Sequence, residues 1–242
     1  SIADNNITDF IEDSAGHIWI GTGQNGISFL SFVKSKFTHH RYDQENEWGL
    51  KSDKIYSITT MTDGMMWAAT GFGLEMLSPD GIREYDYEKS VLGVNYIIDL
   101  EIINDENLWV GTDQGVLKIN TMTDMITRFS KSDTIPESRR LADNLIHDIL
   151  PIDDKIWVAT GSGVVIIDTS SNTVTNFSSD LIARVITQDQ DGDIWLGTEM
   201  DGLYTIPSKL YSNIVNGENF EIEGYVFDPE YPNGISSSQI TC

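Results

Sequence analysis

The chain has 242 residues, 38 of them acidic and 15 basic, for a formal charge of −23 at pH 7. A surface so negative repels a nucleic-acid backbone and an anionic bilayer, so the expected functions exclude nucleic-acid binding and membrane contact by this chain. A hydrophobic share of 40% with nine Tyr, nine Phe and six Trp fits an aromatic-rich strand protein, and no stretch approaches the roughly 20 apolar residues of a membrane span.

In chain order, Ile2, Ala3, Asp4, Asn5 and Asn6 open a first unit, and Ile7, Phe10 and Ile11 lead into an Asp and Gly turn at 13–16. That pattern predicts a strand entering a hairpin. A second strand is predicted over 18–22, a third after Gly26, and a fourth over 37–42; four such strands in sequence make one blade of a β-propeller. The pattern returns at 55–87, 97–130, 146–178 and 183–228, with 7–43 as the first unit. Residues 235–242 have the phase of 2–7 and predict the first strand of a sixth unit. Helical periodicity is absent. The expected fold is therefore all-β, a single propeller domain over 1–242 with five four-stranded blades and the start of another, cut from a ring of about seven blades.

One phrase organises these units. Trp19, Ile20, Gly21, Thr22 is echoed by Trp67, Ala68, Ala69, Thr70, then by Trp109, Val110, Gly111, Thr112, then by Trp157, Val158, Ala159, Thr160, and finally by Trp195, Leu196, Gly197, Thr198. The tryptophans recur 48, 42, 48 and 38 residues apart, a blade-sized period. Each lies within an apolar run, which predicts packing between blades for all five. The third position is always Gly or Ala, as expected where a neighbouring sheet approaches too closely for a larger side chain.

The opener Leu141, Ala142, Asp143, Asn144, followed by the strand at 146–150, a turn, Ile156 to Thr160 and a nearby Gly, resembles the two-component regulator propeller repeat. The same register holds in the other four units, so the resemblance covers nearly the whole chain. It implies the periplasmic sensor half of a hybrid two-component system of Bacteroides type, detecting a glycan-derived oligosaccharide and signalling as a homodimer. The histidine kinase would lie elsewhere in a longer chain, because no phospho-acceptor helix, ATP-binding glycine loop or receiver aspartate is seen here. Ser1 begins directly on repeat sequence without a signal peptide, so targeting and membrane segments are also expected elsewhere.

Binding residues are sought in the connections that join an outer strand to the next inner strand, because these open on one face of a propeller. Trp48 lies in such a connection and could stack on a sugar ring. Arg139 and Arg140 occupy the equivalent connection before the fourth unit and could receive a carboxylate or sulfate by bidentate hydrogen bonds. Asn95, Asp143 and Asn144 could contact sugar hydroxyls from the same face, although Asn and Asp are also ordinary turn residues. No cofactor motif and no metal set is read. Asp189, Asp191 and Asp193 flank Gly192 without the glycine position or later Glu of a calcium loop, which leaves a turn. The four histidines fall at unlike repeat positions, and no nucleophile elbow is present. His147 and Glu101, on inner strands, are the candidates should the chain instead be a propeller lyase or lactonase. A scaffold for protein interaction is the other alternative.

Overall fold

A computed structural model describes residues 1–31, 36–45, 49–78, 83–177, 181–215, 222–226, 228, 230, 235 and 237–240. Trp48 lies outside the described residues. The strands are β1 (Ile7–Glu12), β2 (Ile18–Thr22), β3 (Ile27–Ser31), β4 (Lys36–His40), β5 (Ile55–Thr60), β6 (Met66–Thr70), β7 (Gly73–Leu77) and β8 (Arg83–Glu88). They continue as β9 (Ile97–Ile103), β10 (Asn107–Thr112), β11 (Gly115–Asn120), β12 (Met125–Phe129), β13 (Ile146–Ile152), β14 (Lys155–Thr160), β15 (Gly163–Asp168) and β16 (Val174–Phe177). The last are β17 (Ala183–Gln188), β18 (Ile194–Thr198), β19 (Leu203–Ile206) and β20 (Glu223–Tyr225). They form five four-stranded sheets, each an antiparallel meander in sequence order, which is the construction of a propeller blade.

Short helical turns lie between the strands of this all-β fold. They are α1 (Lys89–Leu92), α2 (Tyr211–Val215) and two 3₁₀ turns at Glu137–Arg139 and Ser208–Leu210. A single turn is too short to leave a helical period in the sequence. Gly93, in the left-handed region at φ 67°, stops α1.

Contacts divide the chain into two compact units, Ser1–Asp113 with Lys118–Thr127, and Gln114–Leu117 with Arg128–Cys242. In the first, β5 lies against β1 and β9; in the second, β13 lies against β17. First strands therefore stack on first strands, and the repeated tryptophans fill the space between sheets. Trp19 packs with Ile55, Ile58 and Ala68 of the following sheet, and Trp157 with Ala183, Ile186 and Leu196. Trp67 and Trp109 are also fully buried. Trp195 is only half-buried, because its sheet ends in the short, exposed β20, whose Tyr225 stacks on the indole at 5.9 Å.

The small third position has the predicted cause. A Cβ on Gly21 would stand 2.8 Å from Ile55 Cγ2, and one on Gly197 would stand 2.6 Å from Ile240 Cγ2. Ile240 thus takes the place against the fifth sheet that Ile55 takes against the first. The backbone agrees, since Gly26 N–H donates to the Asp53 carbonyl at 2.8 Å and Gly202 N–H to that of Ser238 at 2.8 Å.

Two aspartate roles escaped the sequence reading. Asp13, with a fully buried side chain, accepts the Ala15 and His17 N–H groups at 2.9 Å and the Trp19 indole N–H at 3.1 Å. Asp189 holds the Asp193 N–H and the Trp195 indole N–H in the same way, at 2.9 and 2.7 Å, so the acidic run at 189–193 is a hairpin turn. Asp9 and Asp148 instead reach across sheets, accepting the Ile58 and Ile186 N–H groups at 2.8 Å and so covering the free edge of the next first strand.

Burial by itself would raise the Asp13 pKa, but the hydrogen bonds to His17 and Trp19 outweigh it and hold the carboxyl below its ordinary value. A lowered carboxyl stabilises the fold above its unfolded pKa, near 4, and that contribution disappears as pH falls through the folded value. Asp13→Asn is expected to cost about 1–3 kcal/mol at pH 7. In urea titrations from pH 7 to pH 3, its deficit against the parent chain should shrink below about pH 4.

Candidate functional site at the bulged ends of the first strands

The first strand of every sheet carries a bulge at the same place. Register slips between Ile7 and Asp9, between Ile55 and Ser57, opposite Thr112 at Ile97, between Ile146 and Asp148, and between Ala183 and Val185. The skipped residues are Thr8, Tyr56, Ile98, His147 and Arg184. A bulge re-aims the extra side chain out of the ladder, and bulges collect beside binding sites. The sequence carried a trace of this, because apolar residues fall three apart in these strands, Ile7 to Phe10 or Ile146 to Ile149, where strict alternation requires two.

These ends also gather the turns between second and third strands. Gly71 N–H donates to the Lys54 carbonyl, Gly161 N–H to Leu145 and Glu199 N–H to Ile182, at 2.8, 3.2 and 3.0 Å. Each turn is tied to the segment that opens a first strand.

In the first unit, Tyr56 meets Lys54 Nζ at 4.9 Å from its ring centroid and Lys89 Nζ at 5.5 Å. Lys89 Nζ also lies 5.4 Å from the ring of the exposed Tyr96. Asn95, beside it, is occupied: its backbone N–H and its Nδ2 both donate to Asp113, at 3.1 and 3.0 Å.

In the second unit, His147 and Arg184 meet. Arg184 Nη1 lies 3.2 Å from His147 Nδ1, and Nη2 lies 2.9 Å from Glu199 Oε2. A guanidinium only donates, so Nδ1 accepts and the imidazole proton sits on Nε2, which is buried without a protein partner. Burial first, and the Arg184 charge second, push the His147 pKa down, which keeps the ring neutral. Arg184 and Glu199 each remain about one-third exposed, 35% and 33%. Glu199 further lines a cavity of about 320 Å³ with Met200, Ser237, Ser238 and Gln239. Glutamate, serine hydroxyls and an amide make this lining a set of donors and acceptors suited to a polyhydroxylated ligand.

The other sequence candidates of this unit lie at the same strand ends but are engaged in holding their own connection. Asp143 accepts from Ser162 Oγ at 2.9 Å and from the Leu145 N–H at 3.0 Å, and Asn144 Oδ1 accepts the Lys131 N–H at 2.6 Å. Arg140 turns back to Asp133, at 3.4 Å, and to the Ile135 carbonyl. Arg139 closes a 3₁₀ turn and is half-buried. Glu101 lies on β9 opposite Trp109. Among the described residues, no group of three or more His, Cys, Asp or Glu side chains converges as metal ligands would.

Residues 1–24 and 176–200 match the two-component regulator propeller family. No curated protein matches the chain. Among solved structures, the chain superposes over 99% of its length on the extracellular domain of the hybrid two component system BT3049 from B. thetaiotaomicron, with a TM-score of 0.75 and 20% identity. A second similar structure is the extracellular domain of the one component system BT4673 from the same organism, with a TM-score of 0.70 and 21% identity over 95% of this chain. The chain spans 31% and 32% of those two structures. It also superposes over 93% of its length on virginiamycin B lyase from Staphylococcus aureus, covering 71% of that enzyme, with a TM-score of 0.65 and 16% identity. At such identities the likeness establishes the propeller fold. Among the described residues, no helix is long and apolar enough to cross a membrane.

Proposed function

We propose that this propeller is part of the periplasmic sensor region of a hybrid two-component protein, and that it binds a glycan-derived oligosaccharide at the bulged ends of its first strands. The observation that carries the reading is the cluster of His147 and Arg184, presented by two successive bulges, with Glu199 of the turn after β18, beside a polar cavity. The regulator propeller repeats and the likeness to extracellular domains of such systems support it. Bound ligand would alter how the propeller sits against the remainder of its own chain or a second copy in a homodimer, and so bias the equilibrium of the transmembrane signal. The kinase activity belongs to other domains of such a protein.

Calorimetric titration with neutral and acidic oligosaccharides, on this chain and on the longer periplasmic region, is the direct test. Arg184→Ala is expected to weaken binding about tenfold or more, as the loss of a charge-assisted hydrogen bond does. Arg139→Ala should have a smaller effect, and Trp48→Ala tests the remaining aromatic candidate. Binding indifferent to Arg184→Ala would displace the site, and absence of binding by either protein would leave an interaction scaffold. Turnover of a titrant would favour the lyase alternative.

A further inference from the structure

We propose that the second unit holds a separate ligand site, at the ends of β13 and β14 away from the bulges, for a small organic cation with an apolar body. A cavity of about 300 Å³ opens there, lined by Ile152, Asp153, Asp154, Lys155, Trp157, Tyr211 and Ser212. Its apolar wall is an aromatic pair: the Trp157 and Tyr211 rings lie 5.0 Å apart and inclined at 53°. The Trp157 side has the nearby Ile152 as its continuation, and both belong to the core between the fourth and fifth sheets.

The charge on the rim decides the ligand class. Lys155 Nζ is held by two carboxylates, Asp154 at 2.8 Å and Asp168 at 2.9 Å, so the charge of the lone ammonium of the lining is already answered within the protein. Asp153, on the same turn, adds a third carboxylate with no partner among the described residues. With Asp153 and Asp154 against Lys155, the lining is negative by one charge beside an aromatic wall. An anionic ligand would be repelled, and a neutral apolar one would fill the wall while leaving Asp153 unanswered. An ammonium on an aryl or alkyl body satisfies both, through the carboxylate and through the negative faces of the rings. This site does not depend on the oligosaccharide reading, which concerns the other strand ends.

The test compares three probes of one shape on the intact chain by calorimetry at low salt: 2-phenylethylammonium, 2-phenylethanol and 3-phenylpropanoate. The ammonium is expected to bind saturably, at least fivefold tighter than the alcohol, with the carboxylate weakest. Asp153→Asn should reduce that preference to near unity, since Asn holds the left-handed turn conformation of Asp153, φ 53°, as readily as Asp does. Tyr211→Leu, checked by circular dichroism for an intact fold, should weaken the ammonium and the alcohol together. Equal affinity for ammonium and alcohol, an unchanged preference in Asp153→Asn, or no binding of any probe would each overturn the proposal.

Discussion

Gly26→Ala is expected to destabilise the chain by about 3 kcal/mol or more, read as a lowered urea midpoint. Gly26 sits at φ 72°, where an L-residue costs roughly 1–2 kcal/mol, and its new Cβ would press into the His40 carbonyl of the outer strand. A backbone oxygen cannot swing aside, so overpacking adds about 1–3 kcal/mol. The Gly26 N–H and carbonyl are also both in use, by the Asp53 carbonyl and by Thr22. Gly115 at φ 112° and Gly202 at φ 88° face the carbonyls of Phe129 and Tyr225 in the same way, so the effect should recur along the chain. Gly64→Ala is the control. That residue has φ 86° with nothing within 4 Å of a Cβ, and its substitution should cost about 1 kcal/mol. Equal losses at Gly26 and Gly64 would show that conformation alone, without the close approach, explains the repeated glycine.

Trp109→Ala is expected to cost about 3–5 kcal/mol, the range for emptying a buried aromatic site. The ring is fully buried, and Lys118 Nζ lies over it, 5.3 Å from its centroid. Trp195→Ala should cost less, about 1–2 kcal/mol, because that residue is only partly buried and its hydrogen bond to Asp189 is exposed. A Trp195 loss as large as that of Trp109 would mean that the exposed face is covered in solution, and oligomeric state measured by light scattering would show by what.

Much of the fold was legible because a blade repeats. The tryptophan phrase, the small third residue and the following glycine each reflect a contact made within one sheet or with the next, and five recurrences separate them from chance. The bulges were written in the same strands, as an apolar spacing of three where strict alternation gives two, but a single spacing error reads as noise until pairing shows the skipped residue. The site was less legible. Asp143, Asn144 and Asn95 have the chemistry of hydroxyl contacts, yet their hydrogen bonds are taken by Ser162, Lys131 and Asp113, partners that only the folded turns bring near. Arg184 drew no notice in the sequence, since nothing local to it marks a site.

The sequence by itself thus determined the blade, its strand count and the positions where only glycine or alanine fits, because these follow from short-range periodicity and sterics. Only the tertiary structure decided which polar groups face one another. His147, Arg184 and Glu199 come from β13, β17 and the turn after β18, and their meeting depends on the bulge in each strand and the stacking of one sheet on the next. That stacking is set by packing between the fourth and fifth sheets, to which no single stretch of sequence is local.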